Sequence, residues 1–186
     1  EKHVPELKKY VSTTGSPMYY AARIAKQRYP EAKIVFIGPC VAKRKEARRD
    51  ECVDYVMTFE EIASVFEGFH IDLKQTPAYA VSYTSVREAH GFAQAGGVAG
   101  AIKAYLGKEA EGIPMIQVSD LNKKNIGLLR AAAKTGKVQG RFIEVMACEG
   151  GCISGPSAHN DFMAGRRQLN QELLKRRESY ENRDKE

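Results

Sequence analysis

The chain has 186 residues, of which 43% are hydrophobic and 28% are charged, and this is the ordinary composition of a globular protein. Its formal net charge of +6 is modest, and much of the excess lies in two basic runs, residues 43–49 and 166–177. Neither run contains the interleaved aromatic side chains of a nucleic-acid surface, and no apolar run approaches membrane-spanning length. We therefore expect no nucleic-acid partner and no membrane span.

The length predicts a single α/β domain over residues 1–186 with room for a sizeable core. The first stretch, EKHVPEL, has the pattern of the inside of a helix-and-loop segment, so we expect the chain to be part of a longer protein. Its four cysteines are too few and too scattered for a disulfide framework. A reducing, cytoplasmic compartment and a metal or redox role are the better interpretation.

The first predicted helix begins after a polar, turn-rich stretch. Ser16 suits the N-cap position and Pro17 the first helical position, and apolar residues at helical spacing continue to about Tyr29. Capping explains Ser16, but it leaves the role of Ser12 open.

A short β-branched and aromatic run, residues 34–37, predicts a buried parallel strand. The strand runs into a turn that contains Pro39 and Cys40, and Lys43 follows the thiol by three residues. A lysine at this distance can hold an anion beside a metal cluster. The alternative interpretation is a surface lysine within a basic run.

A second predicted strand, residues 53–57, precedes a helix over residues 59–66 that begins with a capping box formed by Thr58 and Glu61. Cys52 lies just before this strand without glycine or proline around it, so we interpret it as a structural residue and not a ligand. The pattern then weakens between residues 68 and 95, where we expect irregular structure and short elements.

The second half of the chain predicts further helices and strands in alternation. Glycines at 96 and 97 open a helix that runs to about Leu106, and residues 113–118 form a strand. Asp120 is the expected cap of the next helix, and the last predicted helix extends from residue 162 to about residue 180.

Between these last two helices, the apolar run that starts at Phe142 predicts a buried strand, which then breaks into a loop with Cys148, Cys152 and three glycines. Gly150 and Gly151 allow backbone conformations that turn both thiols toward one centre and leave space for a bulky group. The alternative is a surface loop with two incidental thiols.

Strands that alternate with helices predict the α/β class, with a mostly parallel sheet flanked by helices. The strands ending near Cys40 and Cys148 would then present thiols at the same edge of the sheet. Three thiols and a lysine suit an iron–sulfur site, since thiolate is the usual ligand, although a cubane needs a fourth ligand.

The stretches FIGPCVAKRKEA, VDYVMTFEE and FIEVMACEGGC resemble the large catalytic subunit of [FeFe]-hydrogenases. The resemblance covers nearly the whole chain and implies one lobe of the two-lobed iron-only hydrogenase fold. It implies that Cys40 and Cys148 are ligands of the [4Fe-4S] part of the H-cluster. Cys152 is implied as the bridge between that cubane and the diiron subcluster.

The same resemblance implies roles for five other residues. Lys43 would donate a hydrogen bond to a cyanide of the diiron centre, Met146 would pack against that centre, and Ser16 and Pro17 would line its pocket. Ser12 matches a serine on the proton-transfer route. The implied activity is the reversible reduction of protons to dihydrogen, with an electron-transfer partner such as ferredoxin and with hydrogenase maturation proteins.

Several departures from the family pattern bear on this activity. The family's TSCCP motif supplies the fourth cubane ligand and lies upstream of the segment that matches Glu1, so we expect the fragment alone to be apo and inactive. Met18, Gly38 and Glu149 replace the usual glutamine, methionine and proline, as in the divergent sensory branch. Three hypotheses remain: a hydrogenase domain, a hydrogen sensor, and an iron–sulfur carrier without a diiron centre.

Overall fold

The computed structural model of the chain describes residues 2–79 and 86–175, which group into two compact units. The Cys40 unit comprises residues 12–79 and 155–159, and the Cys148 unit comprises residues 2–11, 86–154 and 160–175. The single domain over residues 1–186 stays a prediction.

The Cys40 unit is a βαβ arrangement with a helix on either side in sequence: α1 (Pro17–Arg28), β1 (Val35–Ile37), α2 (Lys43–Asp50), β2 (Tyr55–Met57) and α3 (Phe59–Gly68). The two strands pair in parallel, from Val35 opposite Tyr55 to Ile37 opposite Met57. A small core lies beside them, formed by Met18, Ala22, Ala47 and Val53 with Ile34, Phe36, Cys52 and Val56 packed against it.

Two helix starts in this unit confirm the predicted caps. The Ser16 side chain accepts a hydrogen bond from the Tyr19 backbone N–H at the start of α1. At the start of α3, Thr58 and Glu61 satisfy each other's backbone N–H groups in a capping box. Each cap fixes where the chain leaves an extended segment and enters a helix.

The Cys148 unit contains a second parallel pair of strands and most of the remaining helices. Its elements are α4 (Arg87–His90), α5 (Gly97–Leu106), β3 (Met115–Ser119), α6 (Lys123–Lys134), β4 (Phe142–Met146) and α7 (Phe162–Leu174), with 3-10 turns at Pro5–Tyr10, Gly91–Ala93, Gly107–Ala110 and Cys152–Ser154. Strands β3 and β4 pair from Met115 opposite Phe142 to Ser119 opposite Met146. Helix α6 makes the crossover between them.

The N-terminus of α5 is capped by a residue from the strand β4. Glu144 is 5% exposed, and its two carboxylate oxygens accept hydrogen bonds from the backbone N–H groups of Gly96 (2.8 Å) and Ala99 (2.9 Å). Gly96 has no side chain to cap the helix, so a carboxylate from the neighbouring strand satisfies the unpaired donors and complements the helix dipole. This contact fixes β4 against α5.

The α/β class and the parallel pairing are confirmed, but three details of the prediction are wrong. Within residues 2–79 and 86–175, β1 pairs only with β2 and β3 only with β4, so Cys40 and Cys148 do not follow strands of one sheet. Each pair is closed by its own crossover helix and shares no strand with the other. Strand β1 is not buried either, since Val35 is 45% and Ile37 44% exposed.

The third wrong detail is the cap of α6. Asp120 has a left-handed φ of 69°, and the N-cap is Asn122, whose side chain accepts from the Asn125 N–H at 2.9 Å. The predicted end of the last helix, near residue 180, lies outside the described residues. In the part of the chain that the structure covers, no helix has both the length and the apolar character needed to cross a membrane.

Candidate metal-cluster site

Cys40 lies in a turn between β1 and α2 that is held by backbone hydrogen bonds. The Gly38 N–H donates to the Met57 carbonyl at 3.1 Å, and the Pro39 carbonyl accepts from the Ser157 N–H at 3.3 Å. The Cys40 carbonyl in turn accepts from the Lys43 N–H at 3.3 Å, immediately where α2 begins. The half-buried thiol is therefore fixed close to the first turn of a helix.

Lys43 and Ser16 meet at a residue that the sequence did not single out. The Lys43 ammonium lies 2.6 Å from Glu46 Oε2, and the Ser16 hydroxyl donates to Glu46 Oε1. Both charged side chains are mostly shielded from solvent, with 21% and 18% exposure. One carboxylate thus brings together two of the predicted pocket residues.

The remaining predicted residues of the Cys40 unit are more accessible. Pro17 is the exposed first residue of α1. Ser12 is also exposed, and its hydroxyl accepts from the Thr14 backbone N–H at 3.1 Å. Ser12 can thus exchange hydrogen bonds with solvent.

The second thiol-bearing segment is the loop Cys148–Cys152 in the Cys148 unit. Its backbone folds on itself through a hydrogen bond from the Gly151 N–H to the Cys148 carbonyl at 3.2 Å. The Ser119 hydroxyl accepts from the Gly150 N–H at 2.8 Å and donates to the Cys148 carbonyl at 3.4 Å. The loop is therefore tied to the end of β3 at two points.

Glycine is required in this loop by close packing as well as by conformation. Gly150 and Gly151 have φ of 73° and 98°. A Cβ on Gly151 would lie 2.6 Å from Ala95 N, and a Cβ on Gly150 would clash with the ring of Phe162. The loop thus lies directly against residues 93–95, where the Ala95 N–H donates to the Gly150 carbonyl at 2.9 Å.

Met146 and Cys152 bracket this loop. Met146 is the half-buried last residue of β4, and Cys152 begins the 3-10 turn Cys152–Ser154. Both cysteines of the loop are half-buried thiols and neither forms a disulfide. They are separated by a turn whose backbone is held at both ends.

Cys52, by contrast, belongs to the core. It packs against the cluster that contains Met18 and Val53, and burial raises the pKa of its thiol. A raised pKa disfavours the thiolate that binds metals. This agrees with the interpretation of Cys52 as structural.

The donor chemistry of the two segments fits an iron–sulfur group. The Cys40 unit offers one thiol and the Cys148 unit offers two, and a cubane is held by four thiolates. Among the residues the structure covers, no three or more His, Cys, Asp or Glu side chains form a ready-made metal site. The structure brings Cys148 and Cys152 into one loop, and Lys43 and Ser16 onto one carboxylate, each set within its own unit.

Comparison with known proteins identifies the family. A sequence profile described as "Iron only hydrogenase large subunit, C-terminal domain" matches residues 1–156. The chain belongs to this family. Iron hydrogenase 1 of Clostridium pasteurianum is 27% identical over 203 residues, covering 83% of this chain and 35% of the relative. The NADP-reducing hydrogenase subunit HndD of Solidesulfovibrio fructosivorans is 30% identical over 224 residues, covering 95% and 37%.

A third relative is named as a cluster assembly factor and not as a hydrogenase. The cytosolic Fe-S cluster assembly factor NAR1 of Kluyveromyces lactis is 34% identical over 91 residues, covering 47% of this chain and 19% of the relative. Among solved structures, an [FeFe]-hydrogenase from Chlamydomonas reinhardtii has a TM-score of 0.58 at 20% identity, covering 91% of this chain and 61% of that one. The fold is thus that of the family, and the chain spans less than half the length of each of these three curated relatives.

Sequence reasoning missed three residues that organise the site. Glu46 is three residues after Lys43 on α2, a spacing that predicts a side-chain pair. Glu144 interrupts an apolar strand pattern, and a carboxylate buried at such a position needs hydrogen-bond partners. Ser119 carries no signal in the sequence, because its partners lie about thirty residues away.

Proposed function

We propose that the complete natural protein to which this chain belongs is an [FeFe]-hydrogenase. In it, Cys40 and Cys148 hold the [4Fe-4S] part of the H-cluster and Cys152 bridges it to the diiron subcluster. When bound, the H-cluster supplies the redox chemistry that interconverts protons, electrons and dihydrogen. The family match and the two thiol-bearing segments support this reading.

The observation that carries the proposal is the placement of Lys43. Its ammonium is held half-buried by Glu46, in the first turn of the helix that follows Cys40. An ammonium has three N–H donors, so the contact with Glu46 leaves others for a ligand. A site for a cubane alone needs thiolates but no such donor. Lys43 therefore favours a group that carries hydrogen-bond acceptors, such as cyanide.

The other residues act around the same group. Met146, half-buried at the end of β4, provides an apolar contact, and Ser16 and Pro17 form part of the lining at the start of α1. Ser12, exposed and hydrogen-bonded only to its own turn among the contacts seen, exchanges protons with water. We propose ferredoxin or a similar protein as the electron partner, maturation proteins as the source of the cluster, and a cytoplasmic location from the cysteine usage.

The test is dihydrogen formation and uptake by the complete natural protein, matured anaerobically. Lys43→Ala should lower turnover on the order of a hundredfold, the usual effect of removing one donor from a charge-stabilising site. Lys45→Ala is the matched control, because Lys45 is exposed on the same helix and should leave turnover unchanged. Equal turnover in the two variants would contradict the role of Lys43.

A hydrogen sensor is the second candidate, and the departures from the family pattern favour it. Met18 is 5% exposed and belongs to the core, and a side chain at Gly38 would meet the Phe36 ring at 2.9 Å. The two positions therefore carry a buried apolar side chain and a bare backbone, where the family resemblance predicts a glutamine and a methionine. A sensor should bind the same cluster but turn over far more slowly than a catalytic hydrogenase assayed in parallel.

The iron–sulfur carrier is the third candidate, and the similarity to a protein named as a cluster assembly factor favours it. A carrier should retain iron and sulfide and yet produce no dihydrogen. In a carrier, the Lys43→Ala substitution should change neither the iron content nor the cluster absorbance.

A further inference from the structure

Glu46 is the point at which two segments of the Cys40 unit are joined by polar side chains. One carboxylate oxygen receives the Ser16 hydroxyl from the start of α1. The other lies 2.6 Å from the Lys43 ammonium, one turn earlier on α2. Glu46 thus contacts two residues that the proposed function places beside the diiron group.

The contacts fix the hydrogen-bond direction of Ser16. A hydroxyl has one proton and two lone pairs. The proton is committed to Glu46, which accepts only, and one lone pair caps α1 by accepting from the Tyr19 N–H at 3.4 Å. Ser16 can therefore offer other groups only its remaining lone pair.

Lys43 is restrained in a similar way. Its side chain has four rotatable bonds and would sample many conformations in solvent. Ordering it therefore costs conformational entropy. The contact with Glu46 selects one position before any ligand arrives, in a place where both partners are about four-fifths shielded. The ammonium that remains is preorganised and its charge is balanced.

We propose that Glu46 is a positioning residue for the diiron group, which it orients indirectly by fixing the Lys43 ammonium and the Ser16 hydroxyl. This inference rests on the proposed function. It predicts that loss of the carboxylate leaves cluster attachment intact, because the thiols are unaffected, but changes the hydrogen bond to the cyanide ligands.

The experiment compares Glu46→Gln with wild type in the complete protein after anaerobic maturation. Infrared cyanide bands should shift in Glu46→Gln, while iron content per chain stays at the wild-type level. Glu46→Asp keeps the carboxylate with a shorter reach and should restore part of the wild-type spectrum. The exposed Glu67 on α3 provides the control, and Glu67→Gln should have the wild-type spectrum.

A second readout needs no cluster. In the unloaded protein, the rate at which an amine-reactive ester labels Lys43 should rise about fivefold in Glu46→Gln, the factor that corresponds to an ion pair worth about 1 kcal/mol. Labelling of Lys45 on the same helix should not change, since its side chain is already exposed. A rise at both lysines would indicate local unfolding and overturn the positioning role.

The infrared results distinguish the positioning role of Glu46 from the proposed function. Cyanide bands that coincide in wild type and Glu46→Gln overturn the positioning role while the proposed function stands. Absence of the bands in wild type, with a control hydrogenase loaded in the same preparation, overturns the proposed function and with it any role of Glu46 toward the diiron group. Shifted bands with normal iron content and partial rescue by aspartate support both.

Discussion

The two thiol-bearing segments are fixed by different kinds of interaction. The Cys148–Cys152 loop is held by backbone hydrogen bonds, by the Ser119 hydroxyl, and by glycines that let it lie against residues 93–95. The Cys40 turn also has backbone hydrogen bonds, but its unit is further linked by ion pairs. Lys43 pairs with Glu46 beside the turn, Arg44 pairs with Glu61, and Lys33 pairs with Asp54 at the opposite end of the strands.

This difference has physical consequences. Backbone hydrogen bonds and close packing depend little on salt or on pH, whereas ion pairs are screened by salt and lost when carboxylates are protonated. The loop should therefore be intolerant of added atoms, and the turn should be sensitive to solution conditions. We therefore expect the loop to hold the thiols of Cys148 and Cys152 rigidly, whereas the surroundings of the Cys40 thiol should change with salt and pH.

The largest expected effect is that of Gly151→Ala. The new Cβ would lie 2.6 Å from Ala95 N on a backbone with φ of 98°, so the loop must move. We expect a loss of about 3 kcal/mol or more in the free energy of unfolding, measured by urea denaturation. Gly140→Ala is the matched control, because its φ is 66° but no atom lies within 4 Å of the Cβ.

That control should cost only the backbone strain, about 1 to 2 kcal/mol. Equal losses in Gly140→Ala and Gly151→Ala would show that close packing does not hold the loop.

Ser119→Ala should have the next largest effect. The change leaves the Gly150 N–H and the Cys148 carbonyl without their shared partner, and an unpaired buried polar group costs about 1 to 2 kcal/mol. Ser154→Ala is the control from the same unit, since the buried Ser154 hydroxyl has no hydrogen-bond partner among the described residues. By the same argument, removing this unpaired hydroxyl should leave the unfolding free energy unchanged or raise it by up to about 1 to 2 kcal/mol. A Ser119 variant as stable as the Ser154 variant would contradict the role of the hydroxyl.

Acid should loosen the Cys40 unit before the Cys148 loop. A hydrogen bond from the Ile34 N–H, aided by Lys33, lowers the pKa of Asp54, and the Thr58 N–H with Arg44 lowers the pKa of Glu61. Groups whose pKa is lowered on folding stabilise the protein above their unfolded values, about 4, and lose that contribution as the pH falls through the folded values.

Hydrogen exchange followed by mass spectrometry, corrected for intrinsic rates, tests this between about pH 5 and about pH 3. Peptides from residues 33–61 should lose protection before peptides from residues 148–152, a loop whose described contacts involve backbone groups and the Ser119 hydroxyl. The Asp54→Asn variant should weaken this dependence on pH. Earlier loss of protection in the Cys148 loop would contradict the assignment of charge-dependent stability to the Cys40 unit.

Local sequence rules predicted the parts of the fold that depend on local contacts. The Ser16 cap and the Thr58–Glu61 capping box involve residues three apart, and both are confirmed. Asp120 was wrongly predicted to cap α6, because a second polar residue, Asn122, lies two positions later and the pattern does not choose between them. The residues alone predicted an iron–sulfur site at Cys40, Cys148, Cys152 and Lys43. The family resemblance added the role of each residue, and these roles stay predictions.

Contacts between distant segments could not be read in the same way. Alternation of strands and helices predicts parallel strand pairs, but it does not specify which strands share a sheet. The prediction that β1 and β4 belong to one sheet is therefore wrong. The contacts of Glu46 with Ser16 and of Glu144 with α5 span 30 and 48 residues. Such contacts depend on how the folded backbone brings distant segments together, so local sequence periodicity does not predict them.

The central claim is that this chain contributes three thiolates to an H-cluster, and infrared spectroscopy tests it most directly. The complete natural protein is matured anaerobically beside a control hydrogenase, in wild type and as the Cys152→Ala and Cys52→Ala variants. We predict carbonyl and cyanide stretching bands in wild type and Cys52→Ala, and their loss in Cys152→Ala. Absence of the bands in wild type while the control shows them, or bands that persist in Cys152→Ala, would contradict the account.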